Sequence, residues 1–143
     1  MRRERGQIPS DAGFTLLELL VVLAILGLLA AIIAPQVLKY LGSSRSQVAK
    51  VQVENISASL EHFQLDVGRY PTAEEGLQVL VKPATPPANW NGPYLKSETA
   101  LVDPWGRKYL YVVPGKHGEA DVYSLGSDGV EGGSGEAKDV GNW

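Results

Sequence analysis

The chain has 143 residues, a net charge of −3 and no cysteine. That length suits one small domain, and the mild acidic excess offers no general basic surface for nucleic acid. Without cysteine there is neither a disulfide framework nor a thiolate metal site, so a small exported domain needs another staple.

Taken in chain order, residues 1–13 form a short leader whose cations are Arg2, Arg3 and Arg5. The 21 residues from Phe14 to Ala34 are then apolar apart from Thr15, Glu18 and Gly27. As a helix this run is roughly 32 Å long, about the thickness of a bilayer's hydrocarbon core. A soluble core helix is rarely apolar on every face for so long. Residues 14–34 are therefore expected to span a membrane. The basic leader precedes the span and the first cation after it is Lys39. Positive residues stay on the cytoplasmic side, so the amino end is expected inside and the bulk of the chain outside. In a Gram-negative cell that outside is the periplasm.

The leader does not read as an ordinary signal peptide. The small pair Ala30-Ala31 lies within a continuing apolar run rather than at its end. A plain uncleaved anchor is the simplest alternative. The string Gly13-Phe14-Thr15-Leu16-Leu17-Glu18 argues for processing instead, since a cut after Gly13 leaves Phe14 as an apolar amino terminus. It resembles the type IV prepilin signal. Glu18 needs its own account, because an acid at the centre of a span costs about 2.5–3.5 kcal/mol on insertion scales. Four residues into the run, it either reaches interfacial water or has a partner. The resemblance implies the second: Glu18 pairs with the Phe14 ammonium, which is also methylated, of a neighbouring subunit during assembly.

Helical periodicity continues beyond the span. Val53, Ile56, Leu60, Phe63 and Val67 recur at steps of three and four, with Gln52, Glu54, Ser57, Ser59 and Glu61 mostly off that face. Residues 35–67 are expected to be an amphipathic continuation of one long, bent helix. Pro35 and Gly42 mark its weak points, Pro35 as either an ordinary kink or a hinge. Gly68 and Pro71 supply the stop.

Residues 68–143 are expected to form the globular part. Thr72-Ala73-Glu74-Glu75 has the form of a capping box, predicting a short helix to about Val81. The proline-rich stretch Pro83 to Pro93 reads as an irregular loop. Lys108 to Val113 and Ala120 to Leu125 read as two strands joined through Pro114-Gly115, an antiparallel hairpin lying on the amphipathic helix. Trp105, Tyr109, Tyr111 and Trp143 read as core or rim.

After Leu125 come Gly126, Gly129, Gly132, Gly133 and Gly135, interleaved with Asp128, Glu131, Glu136 and Asp139. Carboxylates and glycine-freed carbonyls suit Ca²⁺, although the spacing is not that of an EF-hand. The same composition also suits a solvated acidic turn. No nucleophile set, phosphate loop or HExxH motif accompanies His62 and His117, so the chain is not expected to be an enzyme.

Five blocks stand in order: Gly68-Arg69-Tyr70-Pro71-Thr72, Glu75-Gly76-Leu77, Asp103-Pro104-Trp105-Gly106, Ser124 to Gly129, and Asp139 to Trp143. With the leader, they resemble the major pseudopilins of type II secretion, the general secretion pathway protein G family, across essentially the whole chain. The resemblance implies an α+β, type IV pilin-like fold: a long N-terminal helix on a small antiparallel β-sheet with a C-terminal calcium loop. It implies one Ca²⁺, held by the carboxylates of Asp128 and Asp139 and the backbone oxygens of Leu125 and Val130, with Ser127 a weaker candidate. The glycine-rich stretch Gly132 to Gly135 departs from some members and leaves Glu131 and Glu136 open as ligands.

The resemblance further implies cleavage by prepilin peptidase, anchorage in the inner membrane and a homo-oligomeric helical filament in the periplasm. Its partners would be other pseudopilins and the secretion assembly platform with its ATPase. A type IV pilus subunit or a minor pseudopilin is the nearest alternative, and a membrane-anchored calcium-dependent module is a further one.

Overall fold

The computed structural model describes residues 13–143, so the arginines of the leader lie outside the described residues. The chain divides into two units between Leu38 and Lys39.

One helix, α1 (Leu16–Val67), runs through 52 residues, with Pro35 inside it. Proline removes only one i→i−4 bond, and the helix assignment continues past both Pro35 and Gly42. In the first unit the helix is long and apolar enough to cross a membrane and its apolar stretch is unburied. Leu20 and Leu28 are 67 % and 65 % exposed. Among the described residues, none in this unit offers them cover.

In the second unit, α1 turns one stripe inward: Gly42, Ala49, Val53, Ile56, Ser59, Leu60 and Phe63 are buried. These positions follow one face of a 3.6-residue period. Val67 is half-buried at its end. Ser59 corrects the sequence reading, which placed it mostly off this face. Its hydroxyl bonds Asn55 O at 2.9 Å and Tyr94 O at 3.2 Å, so the polar atom is satisfied within the covered stripe. The helix closes at Gly68, whose φ of 83° favours glycine and whose N–H donates to Gln64 O at 2.8 Å.

The capping box forms, but not the α-helix expected after it. Thr72 N–H donates to Glu75 Oε2 at 2.8 Å and Glu75 N–H to Thr72 Oγ1 at 3.2 Å. Gly76 then takes φ 56°, ψ −166°, which no α-helix accommodates, and only a 3-10 turn, Leu77–Leu80, follows. Leu77, Val79 and Leu80 are nevertheless buried. The segment's apolar pattern thus served packing rather than helix length.

The sheet has three antiparallel strands in the order β1-β2-β3. β1 (Leu110–Val112) pairs with β2 (Asp121–Ser124) in the register Leu110↔Tyr123, Tyr111↔Val122, Val112↔Asp121. This is the expected hairpin with shorter strands, since Lys108 instead forms an isolated bridge to Val102. Pro114, with no N–H to donate, stands just beyond the other end of β1. β3 (Val140–Gly141) was not foreseen, and it pairs with β2 through Tyr123↔Gly141 and Ser124↔Val140. Asn142 extends that edge: its Oδ1 accepts Val122 N–H at 3.1 Å and its Nδ2 donates to Ala120 O at 3.0 Å.

Val53, Ile56, Leu60 and Phe63 of α1 form one cluster with Leu80, Leu101, Tyr109 and Val122. Full burial of each large side chain is worth about 1.5–3 kcal/mol. Aromatic hydroxyls tie the rim of this cluster to polar partners. Tyr109 donates to Gln52 Oε1 at 2.7 Å, Tyr111 to Pro71 O at 2.8 Å and Tyr94 to Asp66 Oδ2 at 2.8 Å. Burial pushes the Tyr109 and Tyr111 phenols well above their ordinary value, so they remain protonated donors.

Candidate functional site

Two places carry the residues singled out from sequence. The first is the start of α1. Gly13 precedes the helix, with no described residue beyond its chain neighbours within 4 Å of where a Cβ would stand, and Phe14 is 81 % exposed. Thr15 caps the helix: its Oγ1 accepts Glu18 N–H at 3.2 Å and its carbonyl accepts Leu19 N–H at 3.1 Å. Glu18 lies in the first turn, exposed, where an acid also complements the helix dipole. The peptide between Gly13 and Phe14 therefore sits outside regular structure, directly ahead of the apolar helix.

The second place is the loop after β2. It hangs from a buried aspartate, Asp103, which the sequence analysis met only as the first residue of one of its five ordered blocks. Asp103, 5 % exposed, accepts Trp105 N–H at 3.0 Å and Arg107 N–H at 2.8 Å through Oδ1. Its Oδ2 accepts the Ser124 hydroxyl at 2.5 Å, which pins the end of β2 to the Pro104–Gly106 turn. The Arg107 guanidinium reaches on to donate to Gly126 O. Loop entry and turn are thus one polar unit.

Beyond Leu125, which is half-buried, the loop closes on itself. Ser127, exposed, donates its N–H to Glu136 O at 3.0 Å. Asp128 Oδ1 accepts Val130 N–H at 3.1 Å, making a local turn. Asp139 N–H donates to Gly132 O at 3.1 Å, while Gly132 N–H donates to Asp139 Oδ2 at 2.9 Å. Gly126, at φ 65°, packs so closely on the Ala137 and Lys138 carbonyls that a Cβ would come within 2.7 Å of Ala137 O.

The second Asp139 oxygen, Oδ1, is buried and has no hydrogen-bond partner. An unpaired buried carboxylate oxygen is costly, and a hard cation is the kind of partner that relieves it. Among the described residues no three His, Asp or Glu side chains group as metal ligands. The sequence reading asks instead for two carboxylates completed by backbone oxygens, and of these Asp139 carries the unpartnered oxygen.

Glu136, left open as a ligand, has its carboxylate elsewhere. Oε1 accepts the Trp105 indole N–H at 3.0 Å and lies 3.5 Å from the Arg45 guanidinium. Oε2 lies over α1 at Gly42, where a Cβ would stand 2.5 Å from it. Glycine inside a helix costs about 1 kcal/mol relative to alanine. Here it makes room for this carboxylate, a use that its reading as a weak point missed. Glu131 is exposed beside Asp139 on a cavity of about 240 Å³ that also reaches His117 and Trp143.

His117 belongs to a separate polar knot. Asp121, 3 % exposed, accepts N–H bonds from Lys116 at 2.7 Å and His117 at 3.1 Å, and its Oδ2 is 3.0 Å from His117 Nδ1. Burial alone would raise the Asp121 carboxyl, but these bonds outweigh it and hold the group below its ordinary value. The His117 ring stacks on Trp143 with centroids 4.0 Å apart.

Residues 36–143 match the family model described as type II secretion system (T2SS), protein G. The chain belongs to that family. Residues 8–34 match the prokaryotic N-terminal methylation motif. Type II secretion system core protein G of Pseudomonas aeruginosa is 47% identical over 141 residues, covering 96% of this chain and 98% of the relative. The Vibrio cholerae protein of the same name is 43% identical over 96% of this chain and 94% of its own length. The crystal structure of the major pseudopilin from the type 2 secretion system of enterohaemorrhagic Escherichia coli matches with a TM-score of 0.57 at 33% identity, covering 70% of this chain and 87% of that one. Membership makes this chain a structural major pseudopilin of type II secretion, assembling with other components of the system. The family is one of structural subunits rather than enzymes, and the apolar helix fits a membrane-anchored member.

Proposed function

We propose that this protein G family member is made as an inner-membrane precursor, amino end in the cytoplasm and residues 39–143 in the periplasm. Prepilin peptidase cuts it after Gly13, and the new Phe14 amino group is methylated. The mature subunit then joins copies of itself and other pseudopilins in a helical filament that the assembly platform and its ATPase extend to drive export. Glu18 sets the axial register by pairing with the Phe14 ammonium of a neighbour. The carrying observation is the unburied apolar half of α1, with Gly13-Phe14 open just ahead of it. Lipid covers such a surface first, and sibling helices cover it after assembly. Mass spectrometry of the native protein tests this: its sequence should begin at methylated Phe14. A chain that retains its first thirteen residues would remove the filament role.

In the same reading, the C-terminal loop takes one Ca²⁺ through Asp128, Asp139 and the backbone oxygens of Leu125 and Val130, with Ser127 adjoining. Bound there, the ion would neutralise the acidic loop and staple β3 to the hairpin in a chain without disulfides. The buried, unpartnered Asp139 Oδ1 supports this. Occupancy at a hundred times the Kd adds about 2.7 kcal/mol to stability. A chelator should accordingly lower the melting temperature of the full chain in detergent, and Asp139→Ala should abolish that difference. Identical melts with and without Ca²⁺ would rule the site out.

A further inference from the structure

The main chain and side chain of Glu136 serve different parts of the second unit. Its carbonyl accepts Ser127 N–H at 3.0 Å, inside the loop that carries Asp128 and Asp139. Its carboxylate leaves the loop, takes the Trp105 indole N–H and lies against α1 between Arg45 and Gly42. Gly42 is buried, and a Cβ there would stand 2.5 Å from Glu136 Oε2, so the missing side chain leaves the carboxylate its room. The Arg45 pair is more than half exposed on the arginine side and holds little by itself. The half-buried, charge-assisted bond to Trp105 and the close fit over Gly42 give the contact its geometry.

We propose that Glu136 is a positioning residue that couples ion occupancy of the C-terminal loop to residues 42–46 of α1. The inference rests on the calcium reading above. Fixing Asp128 and Asp139 restricts the chain between them, and Glu136 stands within that stretch. A restricted loop loses less freedom when it lays the carboxylate on the helix. By linkage, a carboxylate already held there favours the bound loop by the same factor. Ion occupancy is thus felt in the helix turn where the second unit begins.

The test is hydrogen exchange by mass spectrometry on the full chain in detergent micelles, with Ca²⁺ or with chelator. In the wild type, Ca²⁺ should slow exchange both in residues 126–139 and in residues 42–46. In Glu136→Ala the loop should still be protected, Ca²⁺ should bind about fivefold more weakly, and the Ca²⁺-dependent difference at 42–46 should vanish. Gly42→Ala should decouple the helix in the same way while raising its intrinsic propensity, which separates coupling from general helix weakening. Glu136→Gln, which keeps an acceptor for Trp105, should restore part of the helix response. A Ca²⁺-dependent response at 42–46 that survives both alanine variants overturns the proposal. So does a hundredfold loss of Ca²⁺ affinity in Glu136→Ala, which would make Glu136 a ligand. A wild-type loop that Ca²⁺ does not protect overturns the calcium reading and the coupling together. A protected loop beside an unresponsive helix overturns the coupling alone.

Discussion

The two halves of α1 belong to one continuous helix and solve opposite problems. Up to Leu38 the helix shows apolar side chains all round and, among the described residues, buries none of them. Beyond Lys39 it keeps one stripe for the core and yields the rest to solvent. On the proposed role, the first half would take its cover from its surroundings, lipid or sibling helices. The second takes it from a small sheet and loops that share its apolar cluster and are tied further by buried polar groups. The comparison teaches that the second unit carries its own cover and can therefore be broken from within, at a buried carboxylate as well as in the apolar cluster.

Among these polar groups, the largest effect should come from Asp103. Alanine there leaves the Trp105 and Arg107 N–H groups and the Ser124 hydroxyl without their acceptor in a buried site. A loss of about 3 kcal/mol is expected, read as a lower denaturation midpoint of the full chain in detergent. Asp103→Asn keeps one acceptor oxygen and lets Ser124 turn its hydroxyl, so it should cost about 1 kcal/mol. Equal losses for the two variants would mean that the site senses charge rather than hydrogen bonds.

How much of this was legible follows the same division. The helix, its apolar stripe and its stop at Gly68 could be read because periodicity and hydropathy are local signals repeated over many residues. The hairpin was legible for the same reason, through its Tyr- and Val-rich alternation. β3 was not, since Val140–Gly141 is two residues long and its pairing is completed by an asparagine side chain. The capping box at Thr72 was seen and overextended, because Gly76 imposes a backbone that ends the α-helix before it begins. Asp103 sat inside a block that had been noticed, yet its burial depends on Ser124, far along the chain. Gly42 and Glu136 had each been noticed, but only folding brings them together. Long-range polar pairs leave no periodic trace.

A middle-sized effect belongs to Glu75, which combines both kinds of signal. Arg69 holds it in a two-pronged pair, at 2.6 and 2.9 Å, and the Thr72 cap adds a backbone N–H. The Arg69 hydrogen bonds lower its pKa to about 2, against an ordinary 4.5, with burial opposing them. Because the folded value is the lower one, the stabilisation is present in full above about pH 4.5 and is lost as pH falls toward 2. Screening at this partly exposed pair limits it to about 1 kcal/mol. The acid-induced loss of stability should therefore be smaller in Glu75→Gln than in the wild type by that amount. Parallel pH profiles for the two proteins would show that the pair contributes nothing.

The smallest effect sharpens the contrast most. Leu20→Ala removes an isobutyl group from a side chain that is 67 % exposed, whereas a comparable truncation at Leu60, 2 % exposed, empties packed space. The unfolding of residues 39–143 should shift by less than about 0.5 kcal/mol for Leu20→Ala and by about 2–5 kcal/mol for Leu60→Ala. On the proposed role the order reverses for assembly, because the leucine that does nothing for the folded unit supplies packing surface between neighbouring helices. Filament yield in cells should fall for Leu20→Ala while the amount of processed subunit in the membrane stays level. If Leu20→Ala assembled normally and instead destabilised residues 39–143, the first half of α1 would be taking its cover from its own chain, and the division drawn between the halves would fail.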